Sequence, residues 1–599
     1  PDALTAIAGT LTAGGLLFIL CPNLALWPNL KDTFSKNRHP YGANKAANSA
    51  NTITRLLSCR SNFSFYTLEM NQPLPIIKDI LLPLWHPKPV SDSPHGLTDN
   101  LSTRPITNLT KSQASVFSTL SNSAFKGIHV ITADRGRGKS YLLSLLAVEI
   151  SNLKDDNGIK LNDKSMQANL YLAAPNKRAA QMVMANCSYS IQYLPPEDIL
   201  ATVKSHDFLL IDEAASLPIP LLMQLSVKLN NIIFATTTHG YEGTGKGFQM
   251  RFFKHLDTPQ VSAPTKTKWQ HHQLNEPVRY CQQDPLEAWL FNAFCLKASP
   301  NILENRPLSM VNNSVEKTTI KKITAQELQN DSNLLNEVFG LLIQAHYQTR
   351  PSDLRDLLDA PNLHIFALFT AQNIISICLL TDEGPIDDQG AKNTDSLHTQ
   401  ILQGYRRPTG HLMPQSLAFY MGIDSALNLK GARIMRIATL PNMQRRQYGQ
   451  RLLDYCQHWF NDHNYDYLGS SFAATLDVLN FWQAAGFTKV RTGNKLDKAS
   501  GTFSALVLKG LSKQGKELQQ NAFTEFQHNQ KALNGPIELS SHQLAVLMAF
   551  AHYKGSFDSA TGILKQLPVA SLPFDIYPKK ATQGLRDTVK IWLKDSFNG

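Results

Sequence analysis

Apolar residues in this chain fall into short continuous runs. Longer stretches separate them, in which apolar residues recur every three or four positions. Between residues 107 and 290 four runs stand out: GIHVITA (127–133), NLYLAAP (169–175), DFLLIDE (207–213) and NIIFATTT (231–238). Runs of this length read as strands buried on both faces. SYLLSLLAVEISNL (140–153) has helical periodicity, and strands alternating with helices predict βαβ units and a parallel sheet. A second mixed block runs from 318 to 510. It has helices near 325–346, strands at LHIFALFT (363–370), IISICLLT (374–381) and RIMRIAT (433–439), and a helix over RRQYGQRLLDYCQHWF. Residues 72–106 are rich in proline, which fixes φ and removes backbone donors, and read as an extended linker. Before the linker, LLFILC (16–21) reads as one buried strand among helical patches. Beyond 512 the chain is polar and weakly helical.

Length and charge narrow the picture. The 599 residues predict about three to five domains, and 43% hydrophobic content supports packed cores. Lys and Arg total 58 against 47 Asp and Glu, a net charge of +11, which favours a polyanionic partner, most simply nucleic acid. The seven cysteines are widely spaced with no CxxC pair, which argues against a disulfide scaffold or a zinc ribbon. No apolar run is long enough to span a bilayer and no basic segment opens a signal peptide. The chain begins at Pro1 rather than Met, so a processed or truncated product in a reducing, cytoplasmic setting is expected.

The first chemical motif follows the strand at 127–133. Ala133-Asp134-Arg135-Gly136-Arg137-Gly138-Lys139-Ser140 is a P-loop with Ala at the first glycine position, and Tyr141 opens the helix behind it. Small residues let backbone N–H groups wrap a phosphate, and the helix N-terminus adds its positive end. Lys139 is expected to reach the β/γ-phosphates and Ser140 to ligate Mg2+. At the end of a later strand, Asp212 fits a place in the Mg2+ hydration sphere and Glu213 fits the base that orients water. The threonines of ATTTHGYEGTGKGF are placed to sense the γ-phosphate. The glycines behind them read as a substrate-facing loop rather than a dinucleotide fingerprint, because no following helix is evident. Arg279 in NEPVRY is a candidate phosphate contact.

The second motif follows the strand at 433–439. A strand, a turn with Gln or Arg five residues before Gly449, and then a helix match the pyrophosphate arm of a GNAT acetyltransferase. From 431 to 451 there are five arginines, Arg433, Arg436, Arg445, Arg446 and Arg451, and no acidic residue, which suits a phosphate-rich ligand. Downstream, NFWQAAGF (480–487) reads as the end of the last GNAT helix.

Taken together, TADRGRGKS, LLIDEAASLPIPLL, ATTTHGYEGTGKGF, DPLEAWL, HYQTRPSDLRDLLDAPNLH, GYRRPTGHLMPQSLA, RIATLPNMQRRQYGQRLL and NFWQAAGF resemble, in order, the bacterial tRNA(Met) cytidine acetyltransferases, which fuse an RNA-helicase-like ATPase to a GNAT module. The resemblance runs over nearly the whole chain. It implies an α/β multidomain fold. Residues 1–71 would be a remnant of an N-terminal accessory domain and 72–106 a linker. Residues 107–315 would form a RecA-like P-loop ATPase, 316–512 a GNAT N-acetyltransferase domain, and 513–599 a helical, RNA-binding C-terminal segment. It further implies acetyl-CoA, ATP and Mg2+ as cofactors and elongator tRNA(Met) as partner, with acetyl transfer to N4 of the wobble cytidine. By the same resemblance, Gln113 looks like an adenine-contacting glutamine and Arg279 like an ATP-contacting arginine. Ile437, Ala438 and Thr439 look like the strand edge that pairs with pantetheine. Gln444, Arg445, Arg446, Gln447, Tyr448, Gly449 and Gln450 look like the pyrophosphate turn, and Asp477 and Phe481 look like residues lining the acyl-CoA site. The family turn usually reads Q-x-x-G-x-G, so Gln447 replaces its first glycine. If that position needs a positive φ, Gln costs about 1 kcal/mol.

Cytosine N4 is a weak nucleophile, so transfer needs orientation, an oxyanion partner and a proton acceptor. His364, at the start of a strand flanking the acceptor side, is the first candidate base and His346 the second. ATP-linked closure would unstack the target base. Two rival readings stand beside this one. The first is an RNA-remodelling ATPase whose GNAT module is degenerate and only binds. The second is a protein or small-amine acetyltransferase regulated by ATP.

Overall fold

The computed structural model describes residues 1–12, 15–30, 40–42, 50–62, 109–153, 168–185, 187, 191–238, 245–258, 269–299, 318–344, 350–370, 373–388, 396–496, 503–532, 543–544 and 546–548. The linker at 72–106, His346 and most of the segment after 532 lie outside them.

The first half is built on a parallel sheet of β1 (Gly127–Ala133), β2 (Leu170–Ala173), β3 (Gln192–Leu194), β4 (Phe208–Ile211), β5 (Asn231–Thr237) and β6 (Gln270–Leu274), in the order β3-β2-β4-β5-β1-β6. Every residue of β1, β2 and β4 is buried, as continuous apolar runs demand of strands covered on both faces. Two short helices, α1 (Asp2–Ala8) and α2 (Ala50–Ser58), precede the sheet. The helices of this half are α3 (Lys111–Asn122), α4 (Lys139–Ser151), α5 (Lys177–Ala185), α6 (Ile199–Thr202), α7 (Ile219–Lys228), α8 (Gly245–Leu256) and α9 (Pro285–Ala293). Because β5 lies between β1 and β4, the loops after all three strands open on one edge, where ligands bind in parallel α/β sheets.

The second half is a seven-stranded mixed sheet. Its strands are β7 (Thr318–Ile323), β8 (Leu363–Thr370), β9 (Asn373–Glu383), β10 (Gly431–Thr439), β11 (Tyr467–Ala473), β12 (Thr488–Leu496) and β13 (Phe503–Gly510), in the order β12-β13-β11-β10-β9-β8-β7. All neighbours are antiparallel except β10 and β11. Around it lie α10 (Ala325–Asn330), α11 (Ser332–Gln344), α12 (Pro351–Asp359), α13 (Leu397–Leu402), α14 (Leu412–Met421), α15 (Tyr448–Asp462), α16 (Leu476–Ala484) and α17 (Lys513–Ala532).

Four findings depart from the sequence reading. Residues 16–21 form no strand: Leu16 is 70% exposed and Leu20 fully so, because the run has no strand beside it to pair with among the described residues. A helix, α8, begins at Gly245, so the glycine-rich stretch ends in a helix where none was expected. α17 buries Leu518 and Ala522 against Leu506 and Leu508 of β13, so the boundary drawn at 512 separates a strand from a helix packed on it. Finally, residues before the linker share one core with both halves. Ala8 and Cys59 pack in a single apolar cluster with Trp289 and Phe294 on one side and Leu335, Leu354 and Phe366 on the other.

Candidate nucleotide and acyl-CoA sites

The loop between β1 and α4 turns on two glycines with positive φ, Gly136 at +80° and Gly138 at +74°. A Cβ on Gly136 would stand 2.8 Å from the Tyr280 ring, so only glycine fits. Lys139, at the start of α4, donates to Thr237 Oγ1 at the end of β5 (2.7 Å), and its Nζ is 3.9 Å from Glu213 Oε1. Ser140 Oγ donates to Asp212 Oδ2 (2.6 Å). The Glu213 N–H donates to Asp212 Oδ1 (2.9 Å), with Glu213 itself in the left-handed region at φ +49°. The structure therefore brings Lys139, Ser140, Asp212, Glu213 and Thr237 together on one edge of the sheet.

Burial pushes the Asp212 carboxyl up to about 6, with the Glu213 carboxylate adding to the rise and Ser140 and Lys139 opposing it. A buried carboxylate held beside a hydroxyl is a hard-oxygen donor pair that suits Mg2+. The same cation would relieve the cost of keeping Asp212 ionised.

Other residues of the motif face elsewhere. Arg137 is turned away from the loop mouth, its guanidinium forming two bonds with Glu287 of α9 (2.7 and 2.9 Å). Gln113 is buried. Its Oε1 accepts from the Thr110 N–H in the capping box of α3, and its Nε2 donates to the carbonyls of Arg137 (3.1 Å) and Gly138 (3.4 Å). Its amide braces the P-loop in this structure and does not point outward toward a base. Val278 and Arg279 both donate backbone N–H bonds to Gly136 O (2.9 and 3.0 Å), while the Arg279 guanidinium donates to Gly9 O (2.7 Å). Ala133 ends β1 buried, Asp134 and Arg135 line the loop half-buried, and Tyr141 is 40% exposed on the first turn of α4. Thr237 belongs to the threonine run that the sequence placed beside the γ-phosphate, and here it accepts from Lys139. Glu287 and Tyr280 were not singled out as site residues by sequence; Glu287 lay in DPLEAWL, but only the fold shows what the two face.

In the second sheet, β10 pairs with β11 only from Gly431↔Tyr467 to Ile434↔Ser470. A bulge follows between Ile434 and Arg436. β10 then continues against β9 through Thr439↔Ser376, and β11 against β13 through Ala473↔Ser504. The two parallel strands thus part after Ile434, and among the described residues the β10 edge from Met435 to Thr439 has no strand on that side. Backbone groups on such an edge pair readily with an extended chain. Ser376 Oγ donates to Ala438 O (2.9 Å) and Gln444 Nε2 to Thr439 O (3.1 Å), which hold the end of this edge in place.

The turn after β10 leads into α15. Arg445 (φ +63°) and Gln447 (φ +64°) both take the left-handed conformation, Gln447 as the N-cap of α15. The glycine position filled by Gln447 is therefore a positive-φ position. The first N–H groups of α15, from Tyr448, Gly449 and Gln450, have no intrahelical partner by position and form the anion-binding end of the helix. A Cβ on Gly449 would sit 3.4 Å from both Phe481 Cε2 and Thr439 Oγ1, so the turn, the strand edge and α16 converge there. Asp477 pairs with Arg445 at 3.2 Å, both exposed.

Three of the five arginines are committed elsewhere. Arg433 pairs with the buried Glu383 (2.5 Å), Arg436 with Asp353 (2.8 Å), and Arg451 donates to Thr318 Oγ1 (2.6 Å). Only Arg445 and Arg446 belong to the turn itself. His364 is not brought to this edge. It stands opposite Leu380, which stands opposite Ile434, so it lies two strands, about 10 Å, from β10. Its Nε2 bonds Asp382 Oδ1 (2.8 Å), Tyr465 OH donates to the same oxygen (2.7 Å), and its ring packs against Trp459 and Phe460 of α15.

A P-loop module with Lys, Ser, Asp and Glu on one sheet edge, joined to a mixed sheet with parted parallel strands and an anion-binding helix start, defines a helicase-like nucleotide-binding module fused to a GNAT acetyltransferase. Family models match in the same order. The model described as tRNA(Met) cytidine acetyltransferase TmcA, N-terminal, covers residues 1–61, the helicase-domain model of RNA cytidine acetyltransferase NAT10/TcmA covers 130–297, and GNAT acetyltransferase 2 covers 337–465. The tRNA(Met) cytidine acetyltransferase TmcA of Nitrosococcus halophilus is 33% identical over 560 residues, 91% of this chain and 71% of that protein. That of Haemophilus influenzae is 30% identical over 584 residues, 91% of this chain and 79% of that one. The protein of the same name from Haloarcula marismortui is 28% identical over 534 residues, 85% of this chain and 65% of that one. The chain belongs to the tRNA(Met) cytidine acetyltransferase TmcA family and is an acetyltransferase.

Proposed function

We propose that this protein transfers the acetyl group of acetyl-CoA to N4 of the wobble cytidine of elongator tRNA(Met) in the cytoplasm, and that ATP with Mg2+ drives the step. The observation that carries the reading is the parting of β10 from β11 above the positive-φ turn at α15, on the same chain as the Lys139–Thr237–Glu213 cluster. The relatives are tRNA(Met) cytidine acetyltransferases, which suggests the acceptor, and the surplus of basic residues suits RNA.

In this reading the Met435–Thr439 edge holds the pantetheine arm as an added strand. The N–H groups of Tyr448, Gly449 and Gln450 hold the pyrophosphate, with Arg445 and Arg446 adding charge. Acetyl-CoA supplies the thioester. The amine nitrogen bonds the acyl carbon, the C–S bond breaks with CoA leaving as the thiolate, and the proton lost by the amine passes through solvent or a base to that sulfur. In the other module Lys139 and Ser140 would hold the phosphates with Mg2+, Asp212 would supply the carboxylate for that cation's site, and Glu213 would orient the attacking water. Hydrolysis would drive extrusion of the target base, a cost of a few kcal/mol. The positions of Gln113 and Arg137 suit positioning of the P-loop, and that of His364 suits anchoring α15.

Nucleoside mass spectrometry of the tRNA after incubation with acetyl-CoA and ATP–Mg2+ tests the reading. N4-acetylcytidine at the wobble position is expected. Intact ATPase activity with no acetylated nucleoside would favour the remodelling ATPase instead.

A further inference from the structure

α1 bridges the surroundings of the two candidate sites. At its C-terminal end, Gly9 O accepts from Arg279 Nη1 (2.7 Å) and from Tyr280 OH (3.2 Å). The backbone of residues 278–279 is in turn fixed to the P-loop by two N–H bonds to Gly136 O. At its other end, Asp2 Oδ1 accepts from the Ser352 N–H (2.8 Å), on the first turn of α12. The next residue of α12, Asp353, pairs with Arg436 (Nη2–Oδ2 2.8 Å), which flanks the bulge where β10 leaves β11. The far end of α12 is also held: Asp359 accepts from the N–H groups of Asn51 (3.0 Å) and Thr52 (3.3 Å) at the start of α2. Hydrogen bonds and one ion pair therefore run from the phosphate loop, through a helix of seven residues, to the parting strand.

Each contact has a mechanical consequence. Gly136 sits where a Cβ would strike Tyr280, so the loop apex and the 278–280 segment cannot shift independently. Asp353 also accepts from the Arg350 N–H (3.1 Å), so its carboxylate is fixed to the helix start and fixes Arg436 in turn. Arg436 is the first β10 residue beyond the bulge to pair with β9, and its placement sets the direction of the free edge.

We propose that Asp353 is a positioning residue for the acyl-CoA strand, and that α1 ties it to the P-loop so that phosphate binding there changes affinity for acetyl-CoA. The inference rests on the reading that the two sites take ATP and acetyl-CoA. The coupling is reciprocal by thermodynamic necessity: whatever factor nucleotide imposes on acetyl-CoA, acetyl-CoA imposes on nucleotide.

The test uses calorimetry on the whole chain, with CoA and the non-hydrolysable analogue AMPPNP–Mg2+ as probes, each titrated with and without the other. The wild type is expected to show the same factor in both directions, about fivefold or more. Asp353→Asn keeps an acceptor for the Arg350 N–H but loses the charge facing Arg436. It should weaken CoA binding, leave AMPPNP affinity alone within about twofold, and reduce the coupling factor toward one. Asp2→Ala should abolish coupling while both separate affinities survive, a result that mere misfolding would not give. CoA binding with no coupling in the wild type, or full coupling in both variants, overturns the inference alone. No CoA binding in any form overturns the acyl-CoA reading as well.

Discussion

On the proposed reading, Asp212 carries function at the expense of stability. Its carboxyl is raised to about 6 from an unfolded value near 4. The unfolded chain therefore releases this proton first, and the penalty on the fold grows from about pH 4 to pH 6 and is complete above it. Replacing it by Asn should raise the ligand-free thermal midpoint at pH 7.5 while abolishing ATP hydrolysis. In the wild type, Mg2+–nucleotide binding should weaken as pH falls through about 6. A midpoint lowered by Asp212→Asn would contradict the burial argument. Gln447 is a second strained residue. At φ +64°, Gln447→Gly removes a left-handed side chain worth about 1 kcal/mol, so tighter CoA binding with unchanged or higher stability is expected from calorimetry and thermal melts. His364 gives the sharpest contrast. A general base contributes about 100- to 10,000-fold, whereas a histidine that packs against Trp459 and Phe460 of α15 and is held by Asp382 should lose less than about tenfold as His364→Gln. The kcat of that variant in single-turnover transfer separates the two. Its type and its place before an apolar strand made His364 a candidate, and only the strand order shows that β9 stands between it and the acyl edge.

At the scale of elements, legibility followed burial. β1, β2, β4 and β5 were readable because both faces are covered and the runs are continuously apolar. β6 (QHHQL) and β3 (QYL) are edge strands, and their polar side chains gave no alternation to read. β6 holds a cluster in which His272 lies beside the buried His129, and burial lowers the His272 ring to about 4. α15 was readable from its periodicity together with the turn before it. What sequence could not show is which charges face each other across hundreds of residues. Arg55 of α2 is buried and donates to the carbonyls of Asn292 (2.8 Å) and Ala293 (3.0 Å) at the end of α9, and to Ser332 Oγ (3.4 Å) at the start of α11. Nothing local marks it. Arg55→Ala strands these buried acceptors and should cost about 3 kcal/mol, measurable as a lower denaturant midpoint. A neutral result would mean that α2 does not hold the two halves together.

For the whole molecule, the two modules are not beads on a linker. One apolar cluster spans α1, α9, α11, α12 and the GNAT sheet, and Arg137 of the P-loop is anchored on α9 through Glu287. Sequence made the two motifs legible and divided the chain at the proline-rich stretch. The packing of residues before that stretch between the modules had no signature, because it depends on side chains that are near only in the fold. Among the described residues no helix is long and apolar enough to cross a membrane. The central claim is that ATP chemistry in one module drives acetyl transfer in the other. The most direct measurement is the initial rate of labelled-acetyl transfer from acetyl-CoA to an unmodified elongator tRNA(Met) transcript, with and without ATP–Mg2+, for the wild type and Lys139→Ala. The account predicts ATP-dependent label in the wild type and loss of that dependence in the variant, with CoA binding retained. Equal rates with and without ATP, or undiminished transfer by Lys139→Ala, would contradict it.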